Sequence, residues 1–137
     1  MSVDSFIIDG ARSPIGTKNG QMVGVRSDDL SAQVIQGLMQ RNTNIPSEVI
    51  EDVVVGCAFP EGPQGMLMAR SISVLAELPI ESGAKVVNRF CGSSMDSVHQ
   101  LSQAVLAGDI DAGIAAGVED MFSVPMGGFN PSFHPDL

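Results

Sequence analysis

The sequence predicts an α/β domain with a mostly parallel sheet and the element order β-α-β-α-β-α-β. Short apolar segments alternate along the chain with longer segments whose apolar residues recur at helical spacing. The run DVVVGCA at residues 52–58 is almost continuously apolar, which is typical of a strand buried on both faces of a parallel sheet. With 137 residues, 44% of them hydrophobic, the chain is large enough for one domain with its own core.

Each predicted element has its own signals in the sequence. Residues 3–9 form a short, apolar segment with β-branched Ile7 and Ile8, which predicts a first strand. Pro14 and Gly16 then end regular structure. Ser27 is the expected N-cap of the first helix. Pro79 stops the second helix and Gly108 the third. The predicted helices span 27–41, 66–78 and 91–107; the later strands span 52–58, 84–90 and 111–118; residues 17–26 and 121–137 are irregular.

Two of the predicted helices carry a wide apolar stripe that we expect to face the core. In the second helix the stripe consists of Met66, Leu67, Ala69, Ile72, Leu75 and Ala76, and in the third of Met95, Val98, Leu101 and Val105.

Composition and charge exclude several functional classes. Sixteen acidic residues against seven basic ones, a net charge of −9, argue against nucleic acid as a partner, because a nucleic-acid-binding surface is basic. The sequence contains no apolar run long enough to span a membrane and no signal-peptide pattern at its start. Two cysteines do not form a disulfide framework. We therefore expect a cytoplasmic protein with reduced thiols.

The segment VVNRFCGSSMDSVH, residues 86–99, carries the most chemical information. A strand ends there, Cys91 follows, and a helix begins at once, so the thiol is expected at the carboxyl edge of the sheet, where α/β proteins bind ligands. The helix N-terminus favours a thiolate, and its free N–H groups suit an oxyanion. Cys91 is therefore a candidate nucleophile; the alternative is a small buried cysteine that caps the helix.

Other candidate residues are weaker. Ser93, Ser94 and Ser97 lie in the first turns of the helix without the G-x-S-x-G pattern of a serine nucleophile, and are expected to be helix-start residues or supporting donors. Cys57 is expected to be a core residue. His99 lies eight residues after Cys91, about 12 Å along a helix, too far to act as its base. His134, Asp96 and Glu119 cannot be placed from sequence.

No other motif in the sequence indicates a metal or a nucleotide cofactor. Two cysteines and two histidines show no metal-ligand spacing, so no metal site is expected. Neither a G-x-G-x-x-G nor a P-loop pattern is present, which leaves dinucleotide binding without its main support.

Three segments carry a family resemblance: ARSPIG near the start, VVNRFCGSSMDSVHQ at the corner, and IAAGVEDMFSVPMGGFNP near the end. They resemble the N-terminal part of the thiolase family, in particular the degradative 3-ketoacyl-CoA thiolases (acetyl-CoA acyltransferases). The resemblance implies that Cys91 is the nucleophile that becomes acylated and that its backbone N–H contributes to an oxyanion hole. It assigns Asn88 and Arg89 to the support of the Cys91 loop.

The resemblance also implies a fold and a reaction. The fold is one half of a layered αβαβα architecture, with residues 1–120 as a half-domain and residues 121–137 as the start of a CoA-binding loop domain. The reaction is thiolytic cleavage of a 3-ketoacyl-CoA to acetyl-CoA and a shortened acyl-CoA, as in fatty-acid β-oxidation, with CoA as a substrate and no other cofactor. The family's catalytic base and second cysteine have no counterpart here, so the chain by itself is expected to be inactive.

Two alternatives remain open. The same nucleophile would serve condensation, as in an acetyl-CoA acetyltransferase or a ketoacyl synthase. The chain would otherwise be a truncated, non-catalytic module that acts in assembly. In either case a half-fold exposes apolar surface, so we expect a homo-oligomer, a dimer or a tetramer.

Overall fold

Three parallel strands form the sheet of this chain. The computed structural model describes residues 4–136. Strand β1 (Asp52–Gly56) lies in the middle, between β2 (Gly83–Val87) and β3 (Gly113–Gly117). All pairings are parallel, with Asp52 opposite both Gly83 and Gly113. Their carboxyl ends therefore meet at one edge of the sheet.

Helices cover both faces of this sheet. They are α1 (Ser27–Arg41), α2 (Met68–Leu75) and α3 (Ser93–Ala107), with short 3-10 turns at Ser47–Val49 and Gly62–Gln64. Val53 and Val55 pack in one core cluster with residues of α1 and α2, whereas Gly56 lies against the start of α3. Because successive strand residues point to opposite faces, α1 and α2 lie on one face and α3 on the other.

The continuous apolar run of β1 is buried as expected. Val53, Val54 and Val55 are each 0% exposed, because β1 has a strand on either side and helices above and below. Ala69 and Ile72 of α2 and Ile35 of α1 complete the core on one face. The α/β class and the parallel sheet predicted from the sequence are confirmed, and the half-fold agrees with the architecture that the resemblance implied.

The predicted first strand is wrong over residues 4–9, which form no regular structure; Val3 lies outside the described residues. Phe6, Ile7 and Ile8 are 78%, 83% and 72% exposed. A strand needs a neighbour to pair its backbone groups, and an open cleft of about 490 Å³ separates residues 9–16 from β3. The described order is thus α-β-α-β-α-β, with three strands in place of four.

Both predicted apolar stripes are partly wrong. Met66 and Leu67 precede α2 in left-handed backbone conformations and are exposed, and Leu75 is also exposed, whereas Ala69, Ile72 and Ala76 are buried as expected. In α3, Leu101 is buried but Met95 is 62% exposed. The first turns of α3 lie so close to the sheet that only small side chains fit between them, so serines occupy the buried positions there.

The helix ends follow the sequence signals in part. Gly108 ends α3 in a left-handed conformation, as a C-terminal glycine commonly does. Ser27, the expected N-cap of α1, is already the first helical residue and is buried; Arg26 occupies the cap position and its guanidinium pairs with Asp28 at 2.6 Å. None of the helices within residues 4–136 is long and apolar enough to cross a membrane.

Candidate active site at the strand-to-helix corner

Cys91 lies in the corner between β2 and α3. The strand ends at Val87, the helix begins at Ser93, and the thiol between them is exposed to solvent. The position is at the carboxyl edge of the parallel sheet, where ligands bind in open α/β folds. An exposed thiol at this edge is accessible to a substrate.

Side-chain hydrogen bonds fix the path of the backbone through the corner. The Ser93 hydroxyl accepts from the Arg89 N–H at 2.8 Å and donates to the Phe90 carbonyl at 2.6 Å. The Asn88 side-chain carbonyl accepts from the Phe90 N–H at 2.9 Å. Phe90, immediately before Cys91, has a φ of +48°, a left-handed conformation that costs a non-glycine residue free energy. The corner therefore keeps a shape that its own residues do not favour.

Glycines let the start of α3 lie directly on the sheet. A Cβ on Gly56 would overlap the backbone of Ser93 and Ser94, and a Cβ on Gly117 would overlap the Ser94 side chain. Ser93 and Ser97 are buried at this contact, and the Ser97 hydroxyl donates to the Ala116 carbonyl at 3.1 Å. The ends of β1 and β3 thus determine where the helix N-terminus and Cys91 lie.

The side chains of Arg89 and Asn88 bond to different parts of the chain. Arg89 forms an ion pair with Asp96 at 2.8 Å, and Gln100 donates to the same carboxylate at 2.8 Å. Asn88 donates to the carbonyl of Ala58 at 2.8 Å. Arg89 thus connects the corner to α3, and Asn88 connects it to the segment after β1.

Cys57 is the core residue that the sequence predicts. Its side chain is 1% exposed. Burial, together with the negative charge of Glu119 nearby, raises the pKa of the Cys57 thiol to about 12. A thiol in this state is a poor nucleophile at neutral pH, so the two cysteines of the chain have opposite environments.

Within residues 4–136, the histidines and serines do not assemble around Cys91 as a catalytic group. His99 lies on α3, two turns beyond the corner, with an exposed side chain, and His134 accepts from the Asp136 N–H in the C-terminal segment. Ser93 and Ser97 bond to backbone groups. Glu119, by contrast, extends from the end of β3 to the segment after β1. There it contacts Gln64, a residue that no sequence motif singles out.

Comparison with known proteins identifies the family. The sequence model of the family described as "Thiolase, N-terminal domain" matches residues 5–132. This match covers nearly the whole chain, which therefore belongs to the thiolase family.

Three curated relatives illustrate the match. The 3-ketoacyl-CoA thiolase of Alcanivorax borkumensis is 48% identical over 124 residues, 90% of this chain and 32% of the relative. That of Marinomonas sp. is 45% identical over the same number of residues. That of Shewanella baltica is 44% identical over 134 residues, 97% of this chain and 34% of the relative. The chain thus spans about a third of the length of these relatives.

Proposed function

We propose that this chain carries the acyl-accepting nucleophile of a 3-ketoacyl-CoA thiolase, and that Cys91 is this nucleophile. The observation that carries the proposal is the exposed thiol at the corner between β2 and α3. Membership of the thiolase family and the name of the relatives support the same reaction class. The substrate would be a 3-ketoacyl-CoA, with CoA as the second substrate.

The proposed step is an acyl transfer to sulfur. The Cys91 thiolate attacks the 3-keto carbon of the substrate and forms a carbon–sulfur bond. The bond between C2 and C3 then breaks, and its electron pair leaves with the acetyl-CoA portion, which takes up a proton. The thiolate of CoA attacks the acyl group on Cys91, so that a shortened acyl-CoA is released and the Cys91 thiolate is regenerated.

The corner also supplies a candidate stabiliser of the oxyanion that forms in each attack. Cys91 lies two residues before the first residue of α3, at the solvent-exposed point of the corner. In the proposed mechanism the backbone N–H of Cys91 donates to the oxyanion. Fixed donors of this kind lower the barrier because they are already oriented before charge develops.

The same proposal divides the chain into two parts with different roles. Residues 1–120 would be the half-domain that presents the nucleophile, and residues 121–137 the start of a loop domain that binds CoA. The described part of the latter, residues 121–136, forms turns and irregular segments. Exposed apolar side chains, Phe6 and Ile7 among them, support association into a homo-oligomer.

Acylation of Cys91 can be measured directly. Incubation with acetyl-CoA, followed by peptide mapping by mass spectrometry, is expected to show one acetyl group on the peptide that contains Cys91. The Cys91→Ser variant should lose the label and the Cys57→Ser variant should retain it. Acetylation of Cys57 in the folded wild-type protein, or of neither cysteine, would contradict the proposed nucleophile.

Acylation of Cys91 is only the first half of the proposed reaction, and the release of the acyl group to CoA must follow it. His99 and His134 are the two histidines of the chain, and neither is placed as a base for Cys91, so we propose that the 137-residue chain accepts an acyl group without completing the cycle. With acetoacetyl-CoA and CoA, no continuous formation of acetyl-CoA is expected. Sustained turnover that depends on Cys91 would show that the residues present suffice.

A further inference from the structure

Glu119 connects two loops at the carboxyl edge of the sheet. It lies two residues beyond the end of β3, and its carboxylate accepts hydrogen bonds from the segment that follows β1. The Ala58 N–H donates to one carboxylate oxygen at 2.6 Å, and the Phe59 N–H donates to the other at 3.3 Å. Charged acceptors of this kind form stronger hydrogen bonds than neutral ones. The segment after β1 is therefore fixed by a side chain from β3.

Gln64 completes the connection from a fully buried position. Its side chain is 0% exposed. The amide nitrogen donates to Glu119 at 3.1 Å and to the Phe59 carbonyl at 2.9 Å, and the amide oxygen accepts from the Asp120 N–H. The hydrogen-bonding groups of this buried amide are thus used to join the two loops. We call Glu119 and Gln64 the loop clamp.

The residues held by the loop clamp are the residues that contact the corner. The carbonyl of Ala58 accepts from the Asn88 side chain at 2.8 Å. The ring of Phe59 contacts the ring of Phe90 edge to face, with ring centroids 6.0 Å apart. Phe90 is the left-handed residue that precedes Cys91. A continuous set of contacts therefore runs from the loop clamp through residues 58 and 59 to the nucleophile.

We propose that Glu119 is a positioning residue: through Ala58 and Phe59 it holds the backbone of the corner, and so places the Cys91 thiol and N–H for acyl transfer. This proposal rests on the proposed function of Cys91. It explains why a carboxylate is present, since two backbone N–H groups and one amide NH₂ group all point at this side chain. A glutamine there would turn an NH₂ group towards at least one of these donors.

The primary test is Glu119→Gln, with Glu61→Gln as its matched control. The Glu61 carboxylate also accepts a backbone N–H from a distant segment, that of Phe129 at 2.7 Å, but it does not bond to residues 58 or 59 through its side chain. Thermal unfolding followed by circular dichroism would first establish that both variants fold.

The first measurement is amide hydrogen exchange by NMR at Arg89, Phe90, Gly92 and Ser93, each of which donates within the corner. Glu119→Gln is expected to speed exchange of these amides by about tenfold, the effect of losing roughly one hydrogen bond. Amides of α1 should exchange as in the wild type, and Glu61→Gln should leave the corner unchanged. Uniform acceleration throughout the protein, or unchanged corner amides, would overturn the proposal.

The second measurement compares two reactions of Cys91. Alkylation by iodoacetamide needs only an accessible thiolate, whereas acetylation by acetyl-CoA also needs the oxyanion donors in place. Glu119→Gln is expected to reduce the acetylation rate about tenfold more than the alkylation rate. Equal effects on both reactions would overturn a positioning role.

A second variant keeps the test valid if Glu119→Gln does not fold. Phe59→Leu removes the ring contact with Phe90 and leaves the bonds of Glu119 in place, and it should also speed exchange at the corner. If wild-type Cys91 is not acetylated at all, the proposed function fails, and the exchange measurement still decides whether Glu119 holds the corner.

Discussion

Gly56 at the end of β1 lies directly against the first residue of α3: a Cβ on Gly56 would stand 2.6 Å from the carbonyl oxygen of Ser93. Gly56→Ala is expected to lower the free energy of unfolding by about 1–3 kcal/mol, because the backbone of α3 must move to admit the methyl group. Urea unfolding followed by circular dichroism measures this change.

The control is Gly37→Ala in the middle of α1. A Cβ there would meet nothing within 4 Å, so this variant should raise the free energy of unfolding by about 0.5–1 kcal/mol through helix propensity alone. A Gly56→Ala protein as stable as the wild type would show that α3 is not held by this contact.

The two thiols should differ sharply in alkylation. Cys91 is exposed, whereas Cys57 is 1% exposed and its pKa is raised to about 12 by burial and by the charge of Glu119. At neutral pH Cys57 is therefore present as the thiol and not as the nucleophilic thiolate. Brief iodoacetamide treatment and peptide mass spectrometry should therefore find label on Cys91 first. In urea both cysteines should react, and faster labelling of Cys57 in the folded protein would contradict this environment.

Asp9 gives the N-terminal segment a pH-dependent attachment to α1. Its carboxylate accepts from the Asn42 amide at 2.7 Å and from Arg41 at 2.9 Å, and these bonds lower the pKa of Asp9 to about 2. Because the pKa is depressed in the folded state, the stabilisation is present above about pH 4 and is lost as the pH falls towards about 2.

The side-chain NMR signals of Arg41 and Asn42 report this titration. They are expected to shift with a midpoint at about pH 2. The shift should be absent in Asp9→Asn and retained in Asp4→Asn, which changes a carboxylate of the same segment. A midpoint at the ordinary aspartate value of about 4 would show that the attachment does not form in solution.

Exposed apolar side chains predict association. Ile7 and Ile15 are each 83% exposed on the N-terminal segment, and apolar surface of this kind is favourably buried when molecules associate. The double variant Ile7→Asp/Ile15→Asp is expected to shift the protein towards monomer in light scattering at several concentrations. Met66→Asp, which changes an apolar residue 96% exposed elsewhere, is the control. Concentration-independent monomeric wild-type protein would contradict the prediction.

The sequence predicts best what depends on local pattern. The run around Val54 identifies the central strand because a strand buried on both faces needs apolar residues at every position, and the helix of Leu101 follows from spacing and from Gly108. The strand predicted around Ile7 fails because strand formation depends on a neighbouring backbone, which composition does not report.

The candidate site also combines features that follow from local sequence with features that depend on distant contacts. The position of Cys91 between a strand and a helix follows from element boundaries within a few residues of one another. The part played by Gln64 does not, since it depends on contacts with Phe59 and Glu119 that are distant in sequence. A glutamine between Pro63 and Gly65 has the appearance of an ordinary loop residue until the sheet brings those loops together.

The left-handed conformation of Phe90 has a consequence for the order of folding. A phenylalanine in isolation disfavours this backbone state, and the ring that supports it, that of Phe59, lies thirty-one positions earlier in the chain. Local segments of β2 and α3 can therefore form before the turn between them takes its final shape. The Cys91 sulfur would therefore take its folded position only after the central strand and the loop beyond it are in place.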